Sequence, residues 1–284
     1  MERSVTDRFR SLVWKSMNRP GLRTPLGLLG SAFCSWRTGR SCQVRYDGVW
    51  IHRFSDGTVA DLRIRQNTPT PDRFRRLTQD IFFYGHQPGP GETVLDLGAG
   101  IGAESFALAP LVGSSGRIHA VEAHPRTFEC LQTMVRLNRL GNVSVDALAI
   151  ADFIGEVSFE DDGDAHISNA VSATGSGIVV PATTLDEYCR QRNIESVDFL
   201  KMNIEGAEVR ALEGGPQTLA QTRNIVVSCH DFKADRTGNE FYRTKATVRE
   251  LLHDAGFTLL ERTHDPRPWV RDTIYGQRAS GERS

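Results

Sequence analysis

The sequence predicts an α/β fold: a mostly parallel sheet with helices on both faces, preceded by a small amino-terminal extension. Three observations carry this reading. Residues 87–92 (QPGPGE) hold two prolines and two glycines and cannot continue a helix, so they mark a boundary. Beyond them, short β-rich runs alternate with helical ones, the pattern of strands joined by crossover helices. The first such run, Val94-Leu95-Asp96-Leu97, passes directly into three alternating glycines and then an apolar helical segment. The chain accordingly divides into an extension (residues 1–90), a sheet domain (91–278) and a short tail (279–284).

In the extension, residues 43–53 and 58–65 alternate enough to predict two strands, with Ser55-Asp56-Gly57 as the turn between them. Residues 72–83 read as a helix burying Phe74, Leu77 and Ile81. In the sheet domain, strands are predicted at 93–97, 117–122, 142–148, 197–202, 224–229, 257–261 and 272–276. Two more flank the Asp/Gly/Ser-rich residues 160–177, which read as a flexible turn or lid. Helices are predicted at 103–111, 127–140, 207–212 and 240–255, and Thr184-Leu185-Asp186-Glu187 fits a capping box at the start of another. Phe128, Leu131, Met134, Val135 and Asn138 fall at near-helical spacing within 127–140.

Composition narrows the function. The 284 residues are 39% hydrophobic and 24% charged, with 34 Lys and Arg against 35 Asp and Glu, a net charge of −1. Those are the proportions of a globular chain, and near-neutrality excludes phosphate neutralisation by the whole protein as its main task. The total conceals an asymmetry: residues 1–45 carry +7 and the remainder −8. A solvated arm is the simplest account of the basic front, and contact with an anionic membrane or a partner is the alternative. Residues 25–33 are too short to span a bilayer and lack a signal-peptide core, so a soluble, cytoplasmic chain is expected. Five scattered cysteines, never in CxxC spacing, argue against a zinc site or a disulfide framework.

The loop Gly98-Ala99-Gly100-Ile101-Gly102 is the most informative stretch. Glycine allows a sharp strand-to-helix turn and lets a ligand approach the backbone. Its GxGxG spacing differs from the GxGxxG of dinucleotide binders, and Asp96 stands two residues before the first glycine. A carboxylate there repels a pyrophosphate and suits a cationic ligand, which favours S-adenosylmethionine over NAD. Glu122 ends the next strand, where a carboxylate can accept both ribose hydroxyl hydrogens of an adenosine. Asp96, Gly98, Ala99, Gly100, Gly102, Glu122 and Asn203 are the expected cofactor-binding residues.

These motifs, together with VEAHP at 121–125, ALAIADFIGEVSF at 147–159, TTLDEY at 183–188 and FLKMNIEGAE at 199–208, resemble the FkbM family of S-adenosylmethionine-dependent methyltransferases. The resemblance spans about half the chain, in the family's order. It implies a class I methyltransferase fold with an antiparallel final strand, and O-methylation of a hydroxyl on a sugar, polyketide or other natural product. The family usually has an aspartate where this sequence has Asn203, so one negative charge is missing.

Ligands in an open α/β sheet collect beyond the carboxyl ends of the strands. His230 is the first candidate for the base that deprotonates an acceptor hydroxyl, since an imidazole accepts protons near neutral pH. Asp231 is expected to orient that ring or bind the acceptor, and Glu205 to contact acceptor or cofactor. A metal site shared by Glu205, Glu208 and Asp231 is the less favoured alternative, and no metal is expected. The acceptor pocket is expected from the extension, from 160–177 and from 264–271. A nicotinamide-dependent reductase and a non-catalytic module that retains the fold are the rival readings. Glycine spacing and Asp96 oppose the first, and Asn203 motivates the second. No nucleic-acid partner is expected, because the catalytic section is net acidic and lacks an aromatic-basic recognition motif.

Overall fold

The computed structural model describes residues 20–64, 70–159 and 178–278. The expectations for the arm before residue 20, for the 160–177 segment and for the tail lie outside these described residues. Seven strands form the central sheet: β4 (Thr93–Leu97), β5 (Arg117–Val121), β6 (Val143–Asp146), β10 (Val197–Met202), β11 (Thr222–Ser228), β12 (Thr258–Glu261) and β13 (Thr273–Gln277). Their order is β12-β13-β11-β10-β4-β5-β6, with β13 antiparallel to both neighbours and the other pairs parallel. The chain winds outward from β4 through β5 to β6, then returns to the other side of β4 for β10 and β11. The crevice between β4 and β10 is therefore the topological switch point, where ligands of open α/β sheets bind. The mostly parallel sheet and the antiparallel final strand agree with the expected fold class.

Sequence explains the central strands. Val94, Leu95, Leu97, Ile118, Ala120, Leu200 and Met202 are buried, as the continuous apolar runs of a sheet covered on both faces require. The covering helices include α3 (Ala103–Val112), α4 (Pro125–Leu137), α5 (Leu185–Gln191), α6 (Glu208–Glu213) and α9 (Lys245–Asp254). At the start of α5, Thr184 Oγ1 accepts the Glu187 amide at 3.2 Å, the first half of the expected capping box. The Glu187 carboxylate turns instead to the Arg190 guanidinium, so the reciprocal half is not made. A second small sheet, β7 (Ala149–Ala151), β9 (Ile178–Thr184) and β8 (Gly155–Phe159), stands beside the first.

The extension departs most from expectation. Residues 43–53 form a hairpin rather than one strand: β1 (Gln43–Asp47) turns at Gly48, φ +73°, into β2 (Val49–Phe54). β2 then pairs with β3 (Gly57–Asp61) through the expected turn. Helix α1 (Arg23–Thr38) occupies part of the stretch read as an arm, and α2 (Pro71–Phe82) buries Phe74, Thr78 and Phe82, leaving Leu77 40% exposed. The predicted 240–255 helix is a one-turn helix (Glu240–Tyr242) followed by α9. Three short helices, α7 (Pro216–Ala220), α8 (Asp231–Thr237) and α10 (Pro268–Arg271), escape a periodicity search because none exceeds two turns.

The extension is packed into the sheet domain. Val49, Ile51, Val59 and Phe74 share a core with Phe106 of α3 and with Leu131 and Met134 of α4. Asn138, at the end of α4, accepts the Thr58 amide and donates to the Thr58 carbonyl, both at 2.8 Å. This packing explains why α3 is apolar almost all round: the sheet covers one side and the extension the other.

Candidate functional site

At the switch point lies a cavity of about 470 Å³, within the range of small-molecule sites. The glycine loop, the end of β5, the loop after β10 and the extension all contribute to its wall.

The glycine loop is pinned from two sides. Gly98 and Ala99 donate their amides to the Val121 carbonyl at 2.9 and 3.0 Å. Gly100 donates its amide to Glu122 Oε2 at 2.9 Å, and the His124 amide donates to Glu122 Oε1 at 2.9 Å. Gly98 has φ +70°, and a Cβ there would lie 2.1 Å from the Asn203 carbonyl oxygen, so this contact requires glycine. Burial raises the Glu122 carboxyl to about 7, against the opposing pull of its amide donors and of Lys201.

Asp96 has a different place from the one expected. It is fully buried, is absent from the cavity wall, and pairs with Lys201 Nζ at 2.9 Å while accepting the Ser105 hydroxyl at 2.6 Å. Lys201 and Asp96 are register partners on β10 and β4. The ammonium also donates to the Gly98 carbonyl at 2.9 Å and lies 3.8 Å from Glu104. Burial disfavours the Lys201 charge, but Asp96, Glu104 and Glu122 outweigh it and raise its pKa. A positive ligand therefore meets Asp96 only at second hand, through a loop whose carbonyl Lys201 holds. Gly102 also faces away from the cavity, against Met134 and Leu131 of α4.

The loop after β10 carries the second charged cluster. Glu205, a non-glycine residue at φ +57°, is 8% exposed and lines the cavity. Its carboxylate pairs with Lys233 of α8 and lies 3.5 Å from His230 Nε2. His230 Nδ1 is 3.1 Å from Glu208 Oε1, and Glu208 also accepts the Gly206 amide and the Thr244 hydroxyl, each at 3.0 Å. His230 is 4% exposed and does not line the cavity, so it meets a ligand only through Glu205. Asp231 is turned away: its Oδ1 accepts the Thr244 and Lys245 amides at 3.0 Å each and caps α9. Glu205 and Glu208 are joined through His230 rather than turned to a common point, and among the described residues no group of three His, Cys, Asp or Glu side chains is arranged to hold a metal ion.

Asn203 lines the cavity, and its buried Oδ1 has no hydrogen-bond partner. A buried acceptor left open costs free energy unless a ligand donor reaches it. This open acceptor, the remaining acceptor capacity of Glu122, the free space at Gly100 and the apolar wall of Ile101, Leu148 and Ile150 fit S-adenosylmethionine: amine, ribose hydroxyls and base each have a chemical counterpart. The extension adds Asp61, Arg73, Phe74 and Leu77 to the wall, whereas residues 264–271 add none.

Sequence reading missed Lys201 and Lys233. Lys201 carried a usable signal, since a lysine inside the apolar run Phe199–Met202 demands a buried counter-charge. Lys233 carried none, because its helix is seven residues long.

Comparison with known proteins places the chain in a family. The model of the FkbM methyltransferase domain matches residues 96–259. The 2-O-methyltransferase NoeI of Sinorhizobium fredii is 28% identical over 182 residues, 57% of this chain and 70% of that protein. A protein-L-isoaspartate O-methyltransferase of Aeropyrum pernix is 55% identical over 42 residues, 15% of this chain and 16% of its own. Among solved structures, an FkbM methyltransferase from Methylobacillus flagellatus aligns at TM-score 0.49 and 17% identity, over 73% of this chain and 50% of that one. This chain thus matches half the length of that protein. Among the described residues no helix is long and apolar enough to cross a membrane.

Proposed function

The chain belongs to the FkbM family of S-adenosylmethionine-dependent methyltransferases, and from that premise we propose that it O-methylates a hydroxyl of a sugar, polyketide or other natural product. The observation that carries the reading is Glu205: a carboxylate on a left-handed backbone, at the cavity wall, backed by a histidine and a lysine. A non-glycine residue held in that conformation costs on the order of 1–3 kcal/mol and persists where surrounding structure fixes it, commonly at functional sites. The name of the S. fredii relative, a 2-O-methyltransferase, supports a hydroxyl acceptor.

S-adenosylmethionine supplies an electrophilic methyl group on a sulfonium. Glu122 would accept the ribose hydroxyls, Asn203 Oδ1 would accept the amine, and the loop at Gly98 and Gly100 would give close backbone approach. Glu205 takes the proton of the acceptor hydroxyl as its oxygen becomes the nucleophile. His230 stands behind it as a positioning residue: Glu208 holds the Nδ1 side of the ring, which leaves Nε2 facing Glu205. Lys233 fixes the carboxylate from the other side. The acceptor enters beside Asp61, Arg73 and Leu77 of the extension, where a polar and an apolar wall meet.

The test is transfer of isotope-labelled methyl from S-adenosylmethionine to a panel of sugars and natural-product alcohols, with the product read by NMR. An O-methyl signal is expected. Transfer to nitrogen, to carbon or to nucleic acid, with none to oxygen, overturns the proposal.

A further inference from the structure

Helix α1 is amphipathic in the reverse of the usual sense. A surface helix normally turns its large apolar side chains to the core, whereas α1 turns its small ones. Gly27, Gly30 and Cys34 are buried, and Ser31 Oγ accepts the Val44 amide at 2.8 Å. The helix lies so close to β1 that a Cβ at Gly27 would come within 2.9 Å of the Val44 carbonyl oxygen. The large residues point outward: Leu28, Leu29 and Trp36 are 71%, 67% and 75% exposed, and Phe33 is 36% exposed. Positions 28, 29, 33 and 36 fall on one stripe of the helix. Single exposed hydrophobics need no explanation, but a continuous stripe of Leu, Leu, Phe and Trp does.

The charge of this stretch of sequence is one-sided as well. Residues 8–46 contain eight Lys and Arg and no Asp or Glu, although Arg40 pairs with Asp56 at 2.6 Å and Arg45 lies 3.8 Å from Asp47. Leu, Phe and Trp on one face of a helix in a basic stretch of chain is the combination by which an amphipathic helix lies in the plane of an anionic bilayer surface. We propose that the outer face of α1 docks on an anionic lipid surface, with Leu28, Leu29, Phe33 and Trp36 in the headgroup–acyl boundary and the exposed Arg37 of the same helix against lipid phosphates. A second copy of the chain is the poorer occupant, because it brings an equally positive front to the contact. The chain's own residues 1–19 carry net +3 and are repelled by the same field.

The test uses the full-length protein and flotation with vesicles of phosphatidylcholine alone, or with phosphatidylglycerol at about one lipid in three. Binding to the anionic vesicles is expected to exceed binding to the neutral ones by about tenfold or more, and to weaken as salt rises. The triple variant Leu28→Ser/Leu29→Ser/Trp36→Ser is expected to lose about tenfold in partition with an unchanged melting curve, the sites being exposed. The single variant Trp36→Ser gives a smaller loss in the same direction and serves if the triple variant does not fold. Absence of wild-type binding to anionic vesicles overturns the proposal, and so does binding that neither variant changes. Two further results overturn it by naming another occupant. One is a wild-type dimer that the variants make monomeric; the other is vesicle binding that appears only after residues 1–19 are deleted.

Discussion

Two buried charge clusters sit at the rim of the sheet, on neighbouring strands, and they are built oppositely. Around Asp96 the charges meet one another: Lys201 is enclosed by Asp96, Glu104 and the Gly98 carbonyl, Asp96 does not line the cavity, and Glu104 alone of these side chains reaches its wall. Around Glu205 the chain is strained and the carboxylate is left on the cavity wall, with His230, Lys233 and Glu208 behind it. The first cluster balances its own charges and holds a loop in place. The second offers a polar atom to a ligand. Two acids near the same rim, Asp96 within β4 and Glu205 in the loop after β10, thus differ in whether their partners leave them a face on the cavity.

The contrast can be broken most severely at Lys201. Lys201→Met leaves Asp96 buried without its counter-charge and is expected to cost about 3–5 kcal/mol of unfolding free energy, read by urea denaturation. The double variant Asp96→Asn/Lys201→Met should recover much of that loss, and equal destabilisation of the two would contradict a self-balanced pair. At the other cluster, Glu205→Gln is expected to lower turnover by about 10²–10⁴-fold while S-adenosylmethionine affinity, measured by calorimetry, stays within about twofold. Turnover close to wild type would remove Glu205 from the proposed role.

Glu122 sharpens the comparison through pH. Its carboxyl titrates at about 7 in the free protein because it is buried, and ribose hydroxyl donors favour the ionised form. Binding therefore releases a proton; affinity is complete above that pKa and falls as pH drops below it. S-adenosylmethionine should bind about tenfold more weakly at pH 6 than at pH 8, and Glu122→Gln should flatten this dependence. The smallest effect belongs to Asp231. Asp231→Ala removes a helix cap, with an expected loss of about 1 kcal/mol and unchanged turnover, which separates it from its neighbour His230.

The parts legible in the sequence were those whose signals are local. The apolar run at Val94–Leu97, the glycine loop and the carboxylate of Glu122 each follow from a few adjacent residues. What escaped depends on partners distant in the chain. Asp96 reads as a ligand-facing acid until register places Lys201 beside it. His230 and Glu205 both read as candidates for the cavity, and only the packing of α8 decides which of them reaches it. In the extension, alternation continues in phase through Asp47-Gly48 and so conceals the hairpin turn. The burial face of α2 is displaced by one position because Leu77 serves the cavity wall and Phe82 the core. Helix α1 was hidden by its inversion, since an apolar periodicity cannot say which face is inward.

The contact between Gly98 and the Asn203 carbonyl has a consequence for changing what this protein acts on. One loop brings the backbone of Gly98 and Gly100 to the cavity wall, and the other carries Glu205 two residues further on. No side chain can be inserted between them, so neither loop can be shifted, lengthened or replaced without moving the other. Transplanting acceptor preference from a relative therefore requires exchanging residues 98–102 and 203–208 as a single unit, whereas the wall supplied by Arg73 and Leu77 can be rewritten alone.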